Sequence, residues 1–207
     1  VKKTEQLFFK KRIVFLIHSD AYSLHPDENE LFFSKIFKCG DSKDSLDEET
    51  MKMLASRIGT ERLETRLKNS LLTLYTAYER ESNLPVGFGW SVMASSKTIW
   101  HDKFPISPGT TYVFNAHVLK DHRRRGIYKL LKAVQLNHLF FDQKVATVIT
   151  LVEESNTASI KSQDLFGFKR ISRNYLVKFF GRNVLSIFVG EFKGWYCVLG
   201  KTKSHNL

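Results

Sequence analysis

The run Val118-Leu119-Lys120-Asp121-His122-Arg123-Arg124-Arg125-Gly126-Ile127-Tyr128-Lys129-Leu130-Leu131 decides how the chain is read. A strand-like stretch, residues 110–119, ends in it. A short turn follows, with three consecutive arginines and a glycine. From Gly126 to Phe141 the residues Ile127, Leu130, Leu131, Val134, His138 and Phe141 recur at helical spacing and predict one apolar helix face. The first N–H groups of a helix lack partners within it, and the helix dipole adds positive charge there. Such ends bind phosphate groups. Gly126 lets the backbone come close to an anion, and the arginines and Lys129 add charge. Taken alone, three arginines in a turn fit a solvated basic loop equally well.

Downstream, residues 145–152 predict a buried strand and residues 157–165 a short helix. Asn156 stands where it can cap that helix, and Gly167 where it can end it. Strands are expected at 169–179, 184–189 and 195–199. Upstream, residues 72–79 and 86–93 alternate as the two strands of a hairpin. Gly87 and Gly89 predict a bulge or a close backbone approach there. Residues 97–109, with Trp100, Phe104 and two prolines, predict a long loop. The unit 110–152 is one strand–helix–strand crossover, right-handed by rule.

The first seventy residues differ. Residues 13–17 predict a buried strand, and His25-Pro26-Asp27-Glu28-Asn29-Glu30 a turn into a helix with Leu31, Phe32, Ile36 and Phe37 on its apolar face. Ser45 is placed to cap a second helix carrying Met51, Leu54 and Ile58, which Gly59 breaks. Leu63, Leu67 and Leu71 predict a third helical stripe. No linker-like stretch follows. The expectation is a single α/β domain over 1–207 with a mixed sheet, an N-terminal strand with helices over 1–70, and a core over 71–190.

Composition bounds the function. The chain has 207 residues, 43% hydrophobic and 26% charged, which is ordinary for a globular protein and excludes a disordered, collagen-like or disulfide-scaffold chain. The net charge of +11 favours anionic partners. Cys39 and Cys197 match no zinc spacing and no CxxC pair, which predicts two reduced thiols in a cytoplasmic protein. No run approaches the roughly twenty apolar residues of a membrane helix. There is no phosphate loop, dinucleotide turn, H-E-x-x-H or nucleophile elbow, and no metal is expected.

The basic turn and the Asn156…Gly167-Phe168 element together resemble the GNAT superfamily of acetyl-CoA-dependent N-acetyltransferases. That family carries Q/R-x-x-G-x-G/A at the start of a helix after its fourth core strand, here Arg123-Arg124-Arg125-Gly126-Ile127-Tyr128. The resemblance covers about residues 70–190. It implies a mixed, mostly antiparallel sheet flanked by helices, with a helical N-terminal elaboration on the acceptor side. It implies that acetyl-CoA is the cosubstrate and that a primary amine attacks its thioester directly. The N–H groups from Arg124 to Lys129 would hold the pyrophosphate, with Lys120, Arg123 and Arg125 adding charge. The Val118 and Leu119 backbone would pair with the pantetheine arm as an added strand. Asn156 and Ser159 would meet the pantetheine, and the acetyl group would lie where the fourth strand splays from the fifth. An N–H near Leu119 would stabilise the oxyanion.

Two positions depart from the family. Tyr128 replaces its last Gly/Ala, so that side chain must point away from the pyrophosphate or stack beside it. Gln163 stands where many members carry the Tyr that protonates the departing thiolate. For the base, alternation along 110–119 puts Tyr112, Phe114, Ala116 and Val118 on one face and Thr111, Val113, Asn115, His117 and Leu119 on the other, unless a bulge swaps them. His117 is the first candidate, because it titrates near neutrality. Asn115 and Tyr112 could position the acceptor. Glu79, Glu153, Glu154 and His101 are alternatives. Three other readings stay open: a longer acyl-CoA donor, a coenzyme A-binding module without turnover, and a nucleic-acid binder. The last is weakest, since Lys178-Phe179-Phe180-Gly181-Arg182, the basic–aromatic stretch that would carry it, reads as the end of a strand. Late strands in this family can also pair into a homodimer.

Overall fold

A computed structural model describes residues 8–23, 29–40, 46–94, 99–101, 104–179, 182–191 and 194–197. Eleven strands and four α-helices are found among them. β1 is Phe8–His18, β2 Phe32–Lys38, α1 Glu48–Ile58, α2 Thr60–Leu67, β3 Leu72–Glu79 and β4 Pro85–Met93. β5 is Ile99–His101, β6 Phe104–Ile106, β7 Thr110–Val118, α3 Ile127–Asn137 and β8 Thr147–Glu153. α4 is Thr157–Leu165, β9 Lys169–Phe179, β10 Arg182–Gly190 and β11 Gly194–Cys197. Nine strands form one sheet in the order β11-β10-β9-β1-β8-β7-β4-β3-β2. Every neighbouring pair is antiparallel except β7 with β8.

Apolar alternation decides which face each strand buries, and the helices cover both faces. Met53 and Leu54 of α1 and Leu63 of α2 pack on Leu72, Leu74, Trp90, Val92 and Phe114. On the other face Ile127, Leu130 and Leu131 of α3 meet Phe32, Tyr75, Val86 and Val118. Further along α3, Ala133 and Leu136 join Phe15, Val113, Val148 and Phe166. α1 starts on Asp47, whose side chain accepts from the Thr50 N–H at 2.7 Å, and Gly59 ends it at φ 86°. Gly87 sits where α3 presses on β4. A Cβ there would lie 3.0 Å from the His117 carbonyl and 3.2 Å from Leu131.

The predicted bulge lies opposite Gly89. Phe114 pairs with Trp90 and His117 with Phe88, so Asn115 and Ala116 together face one residue of β4. Asn115 adopts φ 49°, a left-handed conformation that Asn tolerates better than most residues.

Several expectations change. The apolar residues 31–37 form the edge strand β2 and not a helix. Their pattern meets both periods, and pairing with β3 from Phe32↔Glu79 to Lys38↔Thr73 decides it. Phe32 is buried under α3, and Phe33 stacks on Tyr78 at 5.2 Å. The N-terminal elaboration is therefore two strands and two helices. The apolar face of α3 is also wider and shifted. Ala133, Gln135 and Leu136 are buried, whereas Phe141 is 42% exposed, because the helix runs on into a π-helical turn, His138–Asp142. Within the predicted loop at 97–109, β5 and β6 form a short ladder. The turn at 25–28 and the Ser45 cap lie outside the described residues.

Candidate active site

β7 and β8 pair over three positions only, Thr110↔Thr147 to Tyr112↔Ile149, and then part. The Thr150 hydroxyl ties the fork by donating to the Val113 carbonyl at 2.9 Å. Beyond it opens a cleft of about 340 Å³. Residues 112–116 of β7 and 150–153 of β8 form its sides. Tyr128, Lys132 and Gln135 of α3, with Asn156, Ser159 and Gln163 at α4, form its wall, and Arg12 of β1 reaches its rim.

The bulge swaps the two faces of β7. Tyr112 and Phe114 stack at 5.5 Å in the core under α1 and α2. His117 now lies on that side too, its ring 5.8 Å from that of Phe88. Val118 turns instead into the core under α3. Arg66 of α2 is 6% exposed, with its guanidinium 5.2 Å from the Trp90 ring and 5.1 Å from that of Phe114. With the Asn115 amide oxygen turned toward it, that oxygen accepts from both terminal guanidinium nitrogens at 3.1 and 3.0 Å. A buried cation thus holds the left-handed residue of the bulge. Across the sheet, the Gln135 amide donates to the Trp90 carbonyl at 3.1 Å.

The helical wall is polar and buried. Gln163 is 1% exposed and donates from Nε2 to the Tyr128 hydroxyl at 3.2 Å. Its Oε1 has no hydrogen-bond partner among the described residues. Lys132 is 4% exposed; its ammonium donates to the Gln135 Oε1 at 3.4 Å and lies 5.7 Å from the Phe168 ring centroid, with no ion pair among the described residues. Burial lowers its pKa, and the neighbouring Tyr128 opposes that in part. Tyr128 therefore points across the cleft toward α4, as its replacement of a small residue requires.

The basic turn leads into α3 through two left-handed residues, Arg124 at φ 63° and Gly126 at φ 81°. The first bond of the helix runs from Leu130 N–H to the Gly126 carbonyl, which leaves the Ile127, Tyr128 and Lys129 N–H groups without intrahelical acceptors. Lys120, Arg124 and Lys129 are exposed. Arg123 folds back, with its Nε donating to the Val118 carbonyl at 3.1 Å. Arg125 pairs with Glu79 at 3.3 Å and lies over the Phe32 ring at 4.8 Å. The Leu119 N–H donates to the Val86 carbonyl at 2.9 Å. The Leu119 amide and the Val118 carbonyl thus each have a partner within the protein. Asn156 caps α4 by accepting from the Ser159 N–H at 3.1 Å, and Gly167 follows it at φ 78°.

Of the expected acceptor-side residues, Tyr112 and Asn115 line the cleft and His117 does not. The His117 Nε2 is buried with no partner among the described residues. Burial lowers its pKa, and the Arg57 and Arg123 charges add to that, so the imidazole is neutral at pH 7. Glu153 lines the cleft, Glu154 pairs with Arg173 at 3.7 Å, and Glu79 is held by Arg125. The side chain of His101 lies outside the described residues. Sequence reasoning missed Arg66, Lys132, Gln135 and Thr150. Only the Tyr128, Lys132, Gln135 spacing on one helix face gave any signal. Among the described residues no group of three His, Cys, Asp or Glu could hold a metal ion, and no helix is long and apolar enough to cross a membrane.

No protein-family model and no curated protein matches the sequence. Solved structures do match in fold. One is a tandem GNAT protein from the clavulanic acid biosynthesis pathway, at 15% identity and TM-score 0.62 over 83% of this chain and 54% of that one. Others are GCN5-related N-acetyltransferases from Sphaerobacter thermophilus (18%, 0.59, 84% and 53%) and Kribbella flavida (11%, 0.53, 79% and 56%). The chain spans about half the length of these proteins. It has the fold of the GNAT N-acetyltransferases.

Proposed function

We propose that this protein is an acyl-CoA-dependent N-acyltransferase that transfers an acetyl group to a primary amine. The observation that carries the reading is the cleft between β7 and β8, open on one strand edge and set beside the basic start of α3. The residues present fit coenzyme A. The N–H groups of Ile127, Tyr128 and Lys129, which have no intrahelical acceptor, with Arg124, Lys129 and Lys120 around them, suit a pyrophosphate. The buried Oε1 of Gln163, without a partner among the described residues, suits an amide N–H. When bound, acetyl-CoA supplies the acyl group as a thioester.

The amine must be neutral to attack. His117, neutral at pH 7 on the α1–α2 side and outside the lining of the cleft, is the proposed proton acceptor, reached through water. Tyr112 and Asn115 orient the acceptor, and the Arg66–Asn115 contact keeps the bulge in shape. Residues 46–70 lie on the acceptor side of the sheet in this reading. One observation favours a second reading. Gln163 has no acidic proton, which suits a protein that holds coenzyme A without turnover.

Thermal unfolding with acetyl-CoA, coenzyme A, a long acyl-CoA and NAD tests both. A ligand at about one hundred times its Kd stabilises the fold by about 2.7 kcal/mol, a rise of a few degrees in Tm. A rise with the coenzyme A species but not NAD is the expected result. Thiol release with an amine panel separates transfer from binding alone. A folded sample with no shift for any of them overturns the acyltransferase reading.

A further inference from the structure

We propose that Tyr128 is the proton donor to the departing sulfur, a catalytic role carried on α3 and not on α4. The proposal rests on the acyltransferase reading above. Aminolysis of a thioester forms an N–C bond and breaks the C–S bond, whose electron pair goes to sulfur. The amine gives up one proton, to His117 or solvent. Tyr128 passes its hydroxyl proton to the sulfur, which leaves as a thiol, and solvent returns a proton to the phenolate. Atoms and charge then balance with no other reagent.

Three observations point to this side chain. First, the Gln163 Nε2 donates to the Tyr128 oxygen at 3.2 Å. That bond uses a lone pair of the phenol and leaves its hydrogen for another acceptor in the cleft. Second, Lys132 stands one helical turn on, fully buried and without an ion pair among the described residues, its Nζ 6.0 Å from the Tyr128 ring centroid. Its amine lies over the face of the phenol ring and, with Gln163 at the oxygen, fixes where that ring can stand. Lys132 and Gln163 are thus positioning residues. Third, the other hydroxyls of the cleft are worse placed. Tyr112 stacks on Phe114 in the core under α1 and α2, the Thr150 hydroxyl spends its proton on the Val113 carbonyl at 2.9 Å, and Ser159 is an alcohol of much higher pKa in the first turn of α4. Gln163 itself can orient a hydroxyl but cannot replace one.

The test pairs a side-chain deletion with a ligand-atom deletion. Calorimetry measures the Kd of coenzyme A and of desulfo-coenzyme A, the analogue without sulfur, for the wild type, Tyr128→Phe and the double variant Tyr128→Gly with Gln163→Tyr. In the wild type, a hydrogen bond to sulfur gives a preference for coenzyme A on the order of five-fold beyond that of Tyr128→Phe. The cycle subtracts whatever the missing sulfur costs by itself. The double variant returns a phenol to α4 and recovers the preference. In the acetyl-transfer assay with a panel of polyamine, amino-sugar and peptide amines, Tyr128→Phe slows the wild-type reaction about 10²-fold or more. An unchanged sulfur preference or an unchanged transfer rate in Tyr128→Phe overturns the proposal and leaves the acyltransferase reading standing. Failure of wild-type protein to bind either nucleotide overturns both. Unliganded melting of each variant shows whether a lost preference is merely a lost fold.

Discussion

Lys132 occupies a place that stability alone would not give to an amine. A buried ammonium without a carboxylate costs free energy, and its lowered pKa is the same cost seen by titration. The sign follows. Between its folded pKa and about 10.5, the unfolded chain binds more protons than the native one at this position, so stability rises with pH. The penalty is full below the folded pKa and gone above about 10.5. Lys132→Met keeps the volume and removes the charge. It is expected to stabilise the protein by about 1 kcal/mol or more at a pH where the amine is charged, and the gain shrinks as pH approaches 10.5. Urea melts of both proteins across pH check this, and taking the difference removes the shared titrations of Cys39 and Tyr78. Burial pushes the Cys39 thiol up to about 11, with Arg66 opposing, and the Tyr78 hydroxyl up to about 12. A variant that gains stability while losing affinity for coenzyme A would show that the amine is kept for use.

At the scale of elements, the tight contact is between α3 and β4. Gly87→Ala places a methyl 3.0 Å from the His117 carbonyl and 3.2 Å from Leu131. Backbone on one side and a packed helix on the other leave little room to give. The expected loss is about 1–3 kcal/mol in a denaturant melt, and a loss under 0.5 kcal/mol would mean that α3 rides more loosely on the sheet than its contacts imply. The elements that the sequence made legible are those whose signal is local. The basic turn and α3 announce themselves through Gly126, and α4 through Asn156 and Gly167, because caps are made by neighbouring residues. β2 was hidden because Phe32, Phe33, Ile36 and Phe37 satisfy a helix as well as a strand, and only the seven-residue ladder with the distant β3 decides between them. Gly89 announced a bulge, but alternation cannot say which β7 residue is the extra one. Arg66 was invisible as a site residue, since charged side chains default to solvent and only the packing of distant elements buries it.

For the whole molecule, the single parallel pair matters most. Four strands, β2, β3, β4 and β7, lie on one side of the seam and five, β8, β1, β9, β10 and β11, on the other. Three register positions and the Thr150–Val113 bond join them directly. The α3–α4 bond from Gln163 to Tyr128 crosses the same seam from above. The net charge of +11 and the exposed turn residues add an electrostatic pull on any anion approaching that mouth, an attraction that weakens with salt.

The forked seam also has a signature in deuterium. Along residues 113–118 and 150–153, the backbone groups that face across the fork have no partner strand, while those on the outer edges are locked to β4 and β1. Amides on these two stretches are therefore expected to take up label in two populations, one fast and one slow. Whatever fills the fork would quiet the fast population, and exchange mass spectrometry would map its footprint strand by strand before any acceptor has been found. Label uptake that stays fast beside a saturating acyl-CoA would mean that the ligand sits elsewhere.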